Sequence, residues 1–177
     1  MRHVVAIFAT VVLLTAAPSI RVNAVVSDGR VLATFAAIDS WTIDTRETLQ
    51  FGTVVTFDYY VELRRPATFW DKTMAQINLK AEAKFDTLTG KYTVSRNRDG
   101  RIVKSEKRDA ENDVRDWLTV YDEPIEFKPE SPLKANTEYY IQVRLFKYPP
   151  RGVCLWSILP GGCEDSSGRS STFPYLR

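Results

Sequence analysis

The chain has 177 residues, with 24 Lys and Arg against 22 Asp and Glu, so its formal net charge is only +2. A nearly neutral chain has no global attraction to nucleic acid or to an anionic membrane, and we expect no nucleic-acid partner. The single histidine, His3, lies near the N-terminus. Imidazole acid–base catalysis, Ser-His and Cys-His nucleophile pairs and His-based zinc sites are therefore excluded from the rest of the chain.

The first 24 residues have the pattern of a secretory signal peptide. An uncharged apolar run over residues 4–17 follows Arg2 and ends at Pro18. It is too short to span a bilayer as a helix, and Val22-Asn23-Ala24 puts suitable small side chains before a cut after Ala24. We expect residues 1–24 to be removed, with an uncleaved anchor as the alternative.

The mature chain predicted by this cut, residues 25–177, is long enough for one domain. Removing Arg2 and Arg21 leaves 22 basic and 22 acidic residues, so this mature chain is neutral. It has no further apolar stretch of transmembrane length. We expect a periplasmic or extracellular protein, either in solution or associated with a membrane.

Three segments alternate apolar and polar residues with a period of two, over residues 55–64, 75–85 and 139–145. This period predicts strands with one buried and one solvated face. The second segment is rich in Ala, Glu and Lys, which favour helix, but a helix would scatter its apolar residues around all sides. Shorter strands are expected near 31–37, 125–128 and 172–176, the last on a sheet edge because of Pro174.

Turn and helix signals connect these strands. Asp99-Gly100 predicts a two-residue hairpin turn, and residues 86–90 predict a second hairpin. A helix is predicted with Asp109 as N-cap and one apolar stripe (Ala110, Val114, Trp117, Leu118 and Tyr121). A short helical turn is expected around residues 45–49. The fold predicted is an antiparallel β-sandwich of about seven or eight strands with one packed amphipathic helix.

Two cysteines, Cys154 and Cys163, flank a Pro-Gly-Gly turn. In an oxidising compartment such a pair predicts a structural disulfide. Free thiols and a redox pair are the alternatives, although the tight C-x-x-C of thiol–disulfide enzymes is absent.

Two places could contact a partner or ligand. Phe69 and Trp70 follow an Arg-Arg-Pro sequence between two predicted strands, where they could stack on a ligand or, as the sequence favours, cap the core. A local excess of positive charge falls on the predicted hairpin around Asp99, where it could meet an anionic partner or simply protect an edge strand. Its basic residues are Arg96, Arg98, Arg101, Lys104, Lys107 and Arg108.

No motif for catalysis, a metal or a cofactor stands out. The run from Asp109 to Asp113 resembles the start of a calcium loop, but Val114 and Val120 replace the Gly and Glu that the loop requires. Asp58 and Glu62 share a strand face about 13 Å apart, too far for a glycosidase pair. We expect no enzyme activity, no cofactor and no metal site.

Several motifs resemble a known family. The first motif is a spaced pattern that ends in a Trp70-Asp71 pair and consists of Gly52, Phe57, Glu62, Leu63 and Arg65. The second is the continuous stretch Phe85-Asp86-Thr87-Leu88-Thr89-Gly90-Lys91-Tyr92-Thr93-Val94. The last two are the helix with Trp117-Leu118 and the C-terminal stretch Ser166-Ser167-Gly168-Arg169-Ser170. In these the chain resembles the bacterial exported proteins grouped as domain of unknown function 4390 (DUF4390). The resemblance implies a bacterial origin, an export signal and a β-rich domain, and it carries no activity or catalytic residue.

The sequence therefore favours an exported, non-catalytic cell-envelope protein that acts as a protein-interaction module, with another envelope protein as partner. A glycan- or lipid-binding β-sandwich that uses Phe69, Trp70 and the basic hairpin is the alternative. A His-independent enzyme is the third hypothesis.

Overall fold

The computed structural model describes residues 19–129, 131–149 and 165–175. These residues form ten strands and two helices in the order β1 (Ser19–Ser27), β2 (Arg30–Ile38), α1 (Ile43–Gln50), β3 (Val55–Arg65), β4 (Lys72–Asp86), β5 (Lys91–Arg98), β6 (Arg101–Arg108), α2 (Glu111–Thr119), β7 (Val120–Glu126), β8 (Glu138–Tyr148), β9 (Ser166–Arg169) and β10 (Phe173–Pro174). The predicted pair Cys154 and Cys163 lies outside the described residues, and so does the apolar run 4–17.

The strands form two antiparallel sheets. The smaller sheet has the order β1-β2-β7, and the seven-stranded sheet has the order β10-β8-β3-β4-β5-β6, with β9 also paired to β8. The β-rich antiparallel prediction is confirmed. Ten strands replace the expected seven or eight because β1 and β9 were not predicted, and α1 is a full second helix. β10, with Pro174, lies at the end of its sheet as expected.

The core lies between the seven-stranded sheet and the elements that cover its inner face. The alternate residues of β3 on that face, Phe57, Tyr59, Val61 and Leu63, are fully buried. The smaller sheet packs on them through Phe35, whose ring centroid lies 4.9 Å from that of Tyr59. The sandwich is thus built on the period-two pattern of the sequence.

β4 follows its period rather than its helix propensity. Ile77, Leu79, Ala81 and Ala83 are buried, and polar residues alternate with them. The strand pairs with β3 on one side and β5 on the other. Burial of one continuous apolar face outweighs the intrinsic preferences of Ala, Glu and Lys, which amount to only a few tenths of a kcal/mol per residue.

Helix α2 covers the part of the inner face that the smaller sheet leaves open. Val114, Trp117 and Leu118 are buried there, which confirms the predicted stripe. The N-cap prediction was wrong: the N-cap is Ala110, with no side-chain cap, instead of Asp109. The helix also ends at Thr119, because the chain turns directly into β7.

Two hairpins use the same Asp-Gly turn. Asp99 and Gly100 have φ values of 50° and 82°, which confirms the predicted turn between β5 and β6. Asp28 and Gly29 have φ values of 51° and 70° and join β1 to β2 in the same way. This second turn was not predicted.

The folded domain begins before the predicted cleavage point. β1 runs from Ser19 to Ser27 and pairs along its whole length with β2, so a cut after Ala24 would fall inside it. Ile20 is only 5% exposed, and a Cβ added to Gly168 of β9 would come within 1.9 Å of the Ile20 carbonyl oxygen. The boundary expected at residue 24 therefore does not coincide with the start of the fold, since residues 19–24 are packed between β2 and β9.

Candidate functional site

The most prominent exposed feature is the loop between β3 and β4, residues 66–71, which we call the aromatic tip. Phe69 and Trp70 are each 88% exposed. The favoured sequence interpretation, that they cap the core, is therefore wrong. Other apolar residues are exposed elsewhere, including Phe51 and Leu88, but only the aromatic tip places two large aromatic residues side by side among the described residues.

The aromatic tip is held at its base by Asp71. The Ala67 amide donates to Asp71 Oδ1 at 3.1 Å, which closes the loop on itself. The Tyr140 hydroxyl, from β8, donates to Asp71 Oδ2. Arg64 Nη2 donates to the Asp71 carbonyl oxygen at 3.1 Å. Three contacts from three directions fix the loop, while its two aromatic side chains remain in solvent.

The electrostatics of this anchor are consistent with an ionised carboxylate. The hydrogen bond from Tyr140 and then the Ala67 amide hold the pKa of Asp71 below its usual range. Burial, and then the hydrogen bond to Asp71, raise the pKa of Tyr140. The guanidinium of Arg169 lies 3.4 Å from the centroid of the Tyr140 ring, so β9 supports the same tyrosine from its other side.

A buried carboxylate continues this network away from the aromatic tip. Glu62 is buried on the outer face of the seven-stranded sheet. Arg144 approaches it at 3.6 Å and Arg64 at 3.9 Å. Arg64 also donates to the Gln142 side chain at 2.8 Å. Arg64 therefore connects Glu62 to the base of the aromatic tip, because it also donates to the Asp71 carbonyl oxygen.

The six basic residues predicted as contacts separate into two groups. Arg96 and Arg98 point toward the core side: Arg96 Nη2 donates to the Trp117 and Val120 carbonyl oxygens at 2.9 and 2.6 Å. Arg98 Nη2 donates to the Glu126 carbonyl oxygen at 3.0 Å. Their contacts are internal, because successive side chains of β5 point to opposite faces of the sheet. Both arginines lie on the face that α2 and β7 cover.

The other four basic residues lie on β6. Arg101 and Lys107 are exposed, while the side chains of Lys104 and Arg108 lean over the buried ring of Trp117 at 5.2 and 5.3 Å. β6 and the aromatic tip lie on different parts of the sheet. Because β5 ends opposite Leu79, β4 continues about 20 Å past it before it reaches the aromatic tip.

A cleft of about 450 Å³ opens between β6, α2 and β7. Trp117 and Val120 line its apolar part. Its charged lining consists of Arg96, Lys104, Arg108, Asp113, Asp116, Asp122 and Glu123. Charges of both signs face this space, so the cleft does not select one sign of ligand.

Sequence reasoning found the two aromatic residues but not the side chains that fix them. Asp71 and Tyr140 are 69 residues apart in the chain, and no local pattern links them. The Trp70-Asp71 pair stands out in the sequence, but it does not indicate that the Asp71 carboxylate anchors the loop.

Residues 17–146 match the protein family described as Domain of unknown function (DUF4390). The chain belongs to this family. The DUF4390 match includes β1, the aromatic tip and β6. No curated protein and no solved structure matches this chain. Within residues 19–129, 131–149 and 165–175, no helix is long and apolar enough to cross a membrane.

Proposed function

We propose that this DUF4390 chain is an exported, non-catalytic protein that binds a partner protein through the aromatic tip. One observation carries the proposal: Phe69 and Trp70 are almost fully exposed on a loop that Asp71 fixes at its base. Exposed aromatic side chains bring a large apolar area to an interface, and tryptophan is enriched at interface hot spots.

The fixed loop favours binding by a rigid tip. Ordering a flexible loop on association opposes binding, whereas a loop already held by hydrogen bonds loses little further freedom. The aromatic tip protrudes instead of forming a hollow, so it fits a concave pocket on its partner.

A lipid surface is the second candidate, because Trp and Phe also suit the interfacial region of a bilayer. Arg65 and Lys72 flank the aromatic tip and could meet anionic head groups. The near-neutral charge of the whole chain gives little long-range attraction to such a surface. We therefore place a protein partner first.

The contacts around Ser40 and Lys147 support the non-catalytic part of the proposal. These residues are close to each other, but Lys147 Nζ donates to the Ser40 backbone carbonyl oxygen at 3.1 Å and not to the hydroxyl. Ser40 is completely buried, and the Lys147 ammonium also lies 2.8 Å from the Asp165 carboxylate. Neither group is open to a substrate.

Photo-crosslinking in the native cell tests the proposal. A photoreactive amino acid replaces Thr68, beside the two aromatic residues, and crosslinked products are identified by mass spectrometry. We expect one recurrent protein product, which disappears in the F69S/W70S double variant. Both residues are exposed, so the melting temperature should stay nearly unchanged, with a stability change of about 0.5 kcal/mol or less.

The control is the F51S/L88S double variant, which removes two exposed apolar side chains away from the aromatic tip. It should leave the crosslink intact. A crosslink that persists in F69S/W70S would reject the aromatic tip as the binding surface. Binding to vesicles containing phosphatidylglycerol, lost in F69S/W70S, would instead assign the aromatic tip to a lipid surface.

A further inference from the structure

β6 leaves one side of its backbone unpaired at the end of the seven-stranded sheet. Among the described residues it pairs only with β5. Ile102 and Val103 on this strand are 70% and 63% exposed. An exposed edge with apolar side chains can accept a further strand from another chain.

One stretch of β6 has the regular geometry that strand addition requires. Residues 104–108 pair one-to-one with residues 92–96 of β5. The register then shifts between Arg96 and Asn97, so that Val103 has no opposite residue. Such a bulge interrupts the ladder. A docking strand would therefore align with residues 104–108 and have the exposed pair Ile102 and Val103 beyond one end.

The charge of this stretch discriminates between possible occupants. Lys104 and Arg108 face the cleft and its carboxylates, whereas Lys107 lies on the opposite face of the strand, so the discriminating charge is that of Lys107. Glu106 is already engaged, 2.7 Å from Arg108 and 3.7 Å from Lys104. Within the described part of the chain Lys107 makes no ion pair at contact distance, and its charge acts only as a minor cause of the lowered pKa of Asp86 on β4. A second copy pairing here would bring like charges together, which is unfavourable across a ladder.

We propose that β6 binds an extended acidic segment of a partner protein by strand addition along residues 104–108. Backbone hydrogen bonds supply affinity, and an acidic side chain opposite Lys107 supplies selectivity. This site is separate from the aromatic tip and does not depend on it.

Hydrogen exchange measured by NMR on the full chain tests this inference. The probes are two short capped peptides, one alternating Thr and Glu and the other alternating Thr and Lys. We expect the Glu peptide to slow exchange of those β6 amides that do not bond to β5, with an affinity about tenfold above that of the Lys peptide. The preference should weaken as salt is added.

The K107E variant should lose or reverse the preference. K84E is the matched control, because Lys84 is exposed on the same face of the sheet but on β4, two strands inside the edge. It should behave as the unaltered chain does. F69S/W70S should also keep the Glu-peptide preference, which separates this site from the aromatic tip.

Two results would overturn the inference. The first is an absence of β6 protection by the Glu peptide at millimolar concentration. The second is equal protection by both peptides, which would mark β6 as an ordinary open edge without selectivity for an acidic segment.

Discussion

At the scale of single residues, Asp71 decides whether the aromatic tip is held or loose. Its carboxylate accepts from the Ala67 amide and the Tyr140 hydroxyl, and both bonds favour the ionised form. Because its folded-state pKa is lowered, the stabilisation is present above the unfolded value near 3.8 and is lost as pH falls through the folded value. The aromatic tip should therefore loosen only in strong acid.

The Y140F variant tests this anchor. Removing the hydroxyl deletes the largest cause of the lowered pKa, so the pKa of Asp71 should rise toward 3.8. The carboxyl carbon of Asp71 reports this value directly in an NMR titration.

Y60F serves as the control, because Tyr60 lies on the same face of the sheet but packs against Phe146 instead of Asp71. It should leave the Asp71 titration where it is in the unaltered chain. A titration midpoint that Y140F does not move would show that the hydroxyl does not anchor the loop.

Residue patterns alone left two interpretations of Phe69 and Trp70, an exposed contact site and a cap on the core. The sequence places Phe69 and Trp70 on a loop, but whether a loop folds back or protrudes depends on distant partners. Tyr140 and Arg64 hold the base of the aromatic tip outward, and their positions follow from the pairing of β3 with β8. Arg96 and Arg98 were predicted as surface contacts because their hydrogen-bond acceptors are distant in sequence. These acceptors are backbone carbonyl oxygens of α2 and β7, which no local pattern around β5 reveals.

At the scale of elements, β1 determines where a fully folded domain can begin. A chain that starts at Val25 lacks six of the nine β1 residues and the buried Ile20 side chain. Losing this side chain and the strand pairing should cost about 3 kcal/mol or more, which lowers the melting temperature by roughly 10 °C.

The control is a chain that starts at Ser19. The melting temperatures of the two chains are compared by thermal unfolding. Equal melting temperatures would show that residues 19–24 contribute nothing to the fold. If the truncated chain is less stable, mass spectrometry of the protein purified from its native cell should find an N-terminus at or before Ser19, because a later cut would remove part of a packed strand.

The three long strands and α2 could be predicted because each has an uninterrupted period. β1 has an equally clear signal, the Asp28-Gly29 turn between two segments rich in apolar residues. The first of these segments also satisfies the small-residue rule for a cleavage site through Val22-Asn23-Ala24, and the two patterns cannot be separated by local sequence alone. β9, with the sequence Ser166-Ser167-Gly168-Arg169, has no apolar alternation, and it forms a strand only because β8 and β1 flank it.

At the scale of the whole molecule, arginines join the two sheets. Arg96 donates to carbonyl oxygens at the end of α2 and the start of β7, and its guanidinium lies 4.7 Å from the Trp117 ring and 4.3 Å from the Tyr121 ring. Arg98 does the same for the far end of β7. Two side chains of the large sheet thus satisfy backbone groups along the small one.

The R96M variant should therefore weaken the whole domain. It keeps an apolar stem but leaves the carbonyl oxygens of Trp117 and Val120 without their donor, at a cost of about 2 kcal/mol in the free energy of unfolding. Urea unfolding followed by circular dichroism measures the loss.

K107M is the matched change on the exposed strand next to β5, and we expect it to alter stability by less than about 0.5 kcal/mol. An R96M domain as stable as K107M would show that the arginine does not join the sheets.

The contact between Ile20 and Gly168 also sets the order in which the molecule can be completed. Ile20 is among the first described residues to leave the ribosome, and Gly168 is among the last. At ordinary elongation rates β1 waits roughly ten seconds or longer for β9 to be synthesised. Until then β1 lacks its packing against β9, so the nascent chain can form the β1–β2 hairpin while the contact between β1 and β9 is still missing.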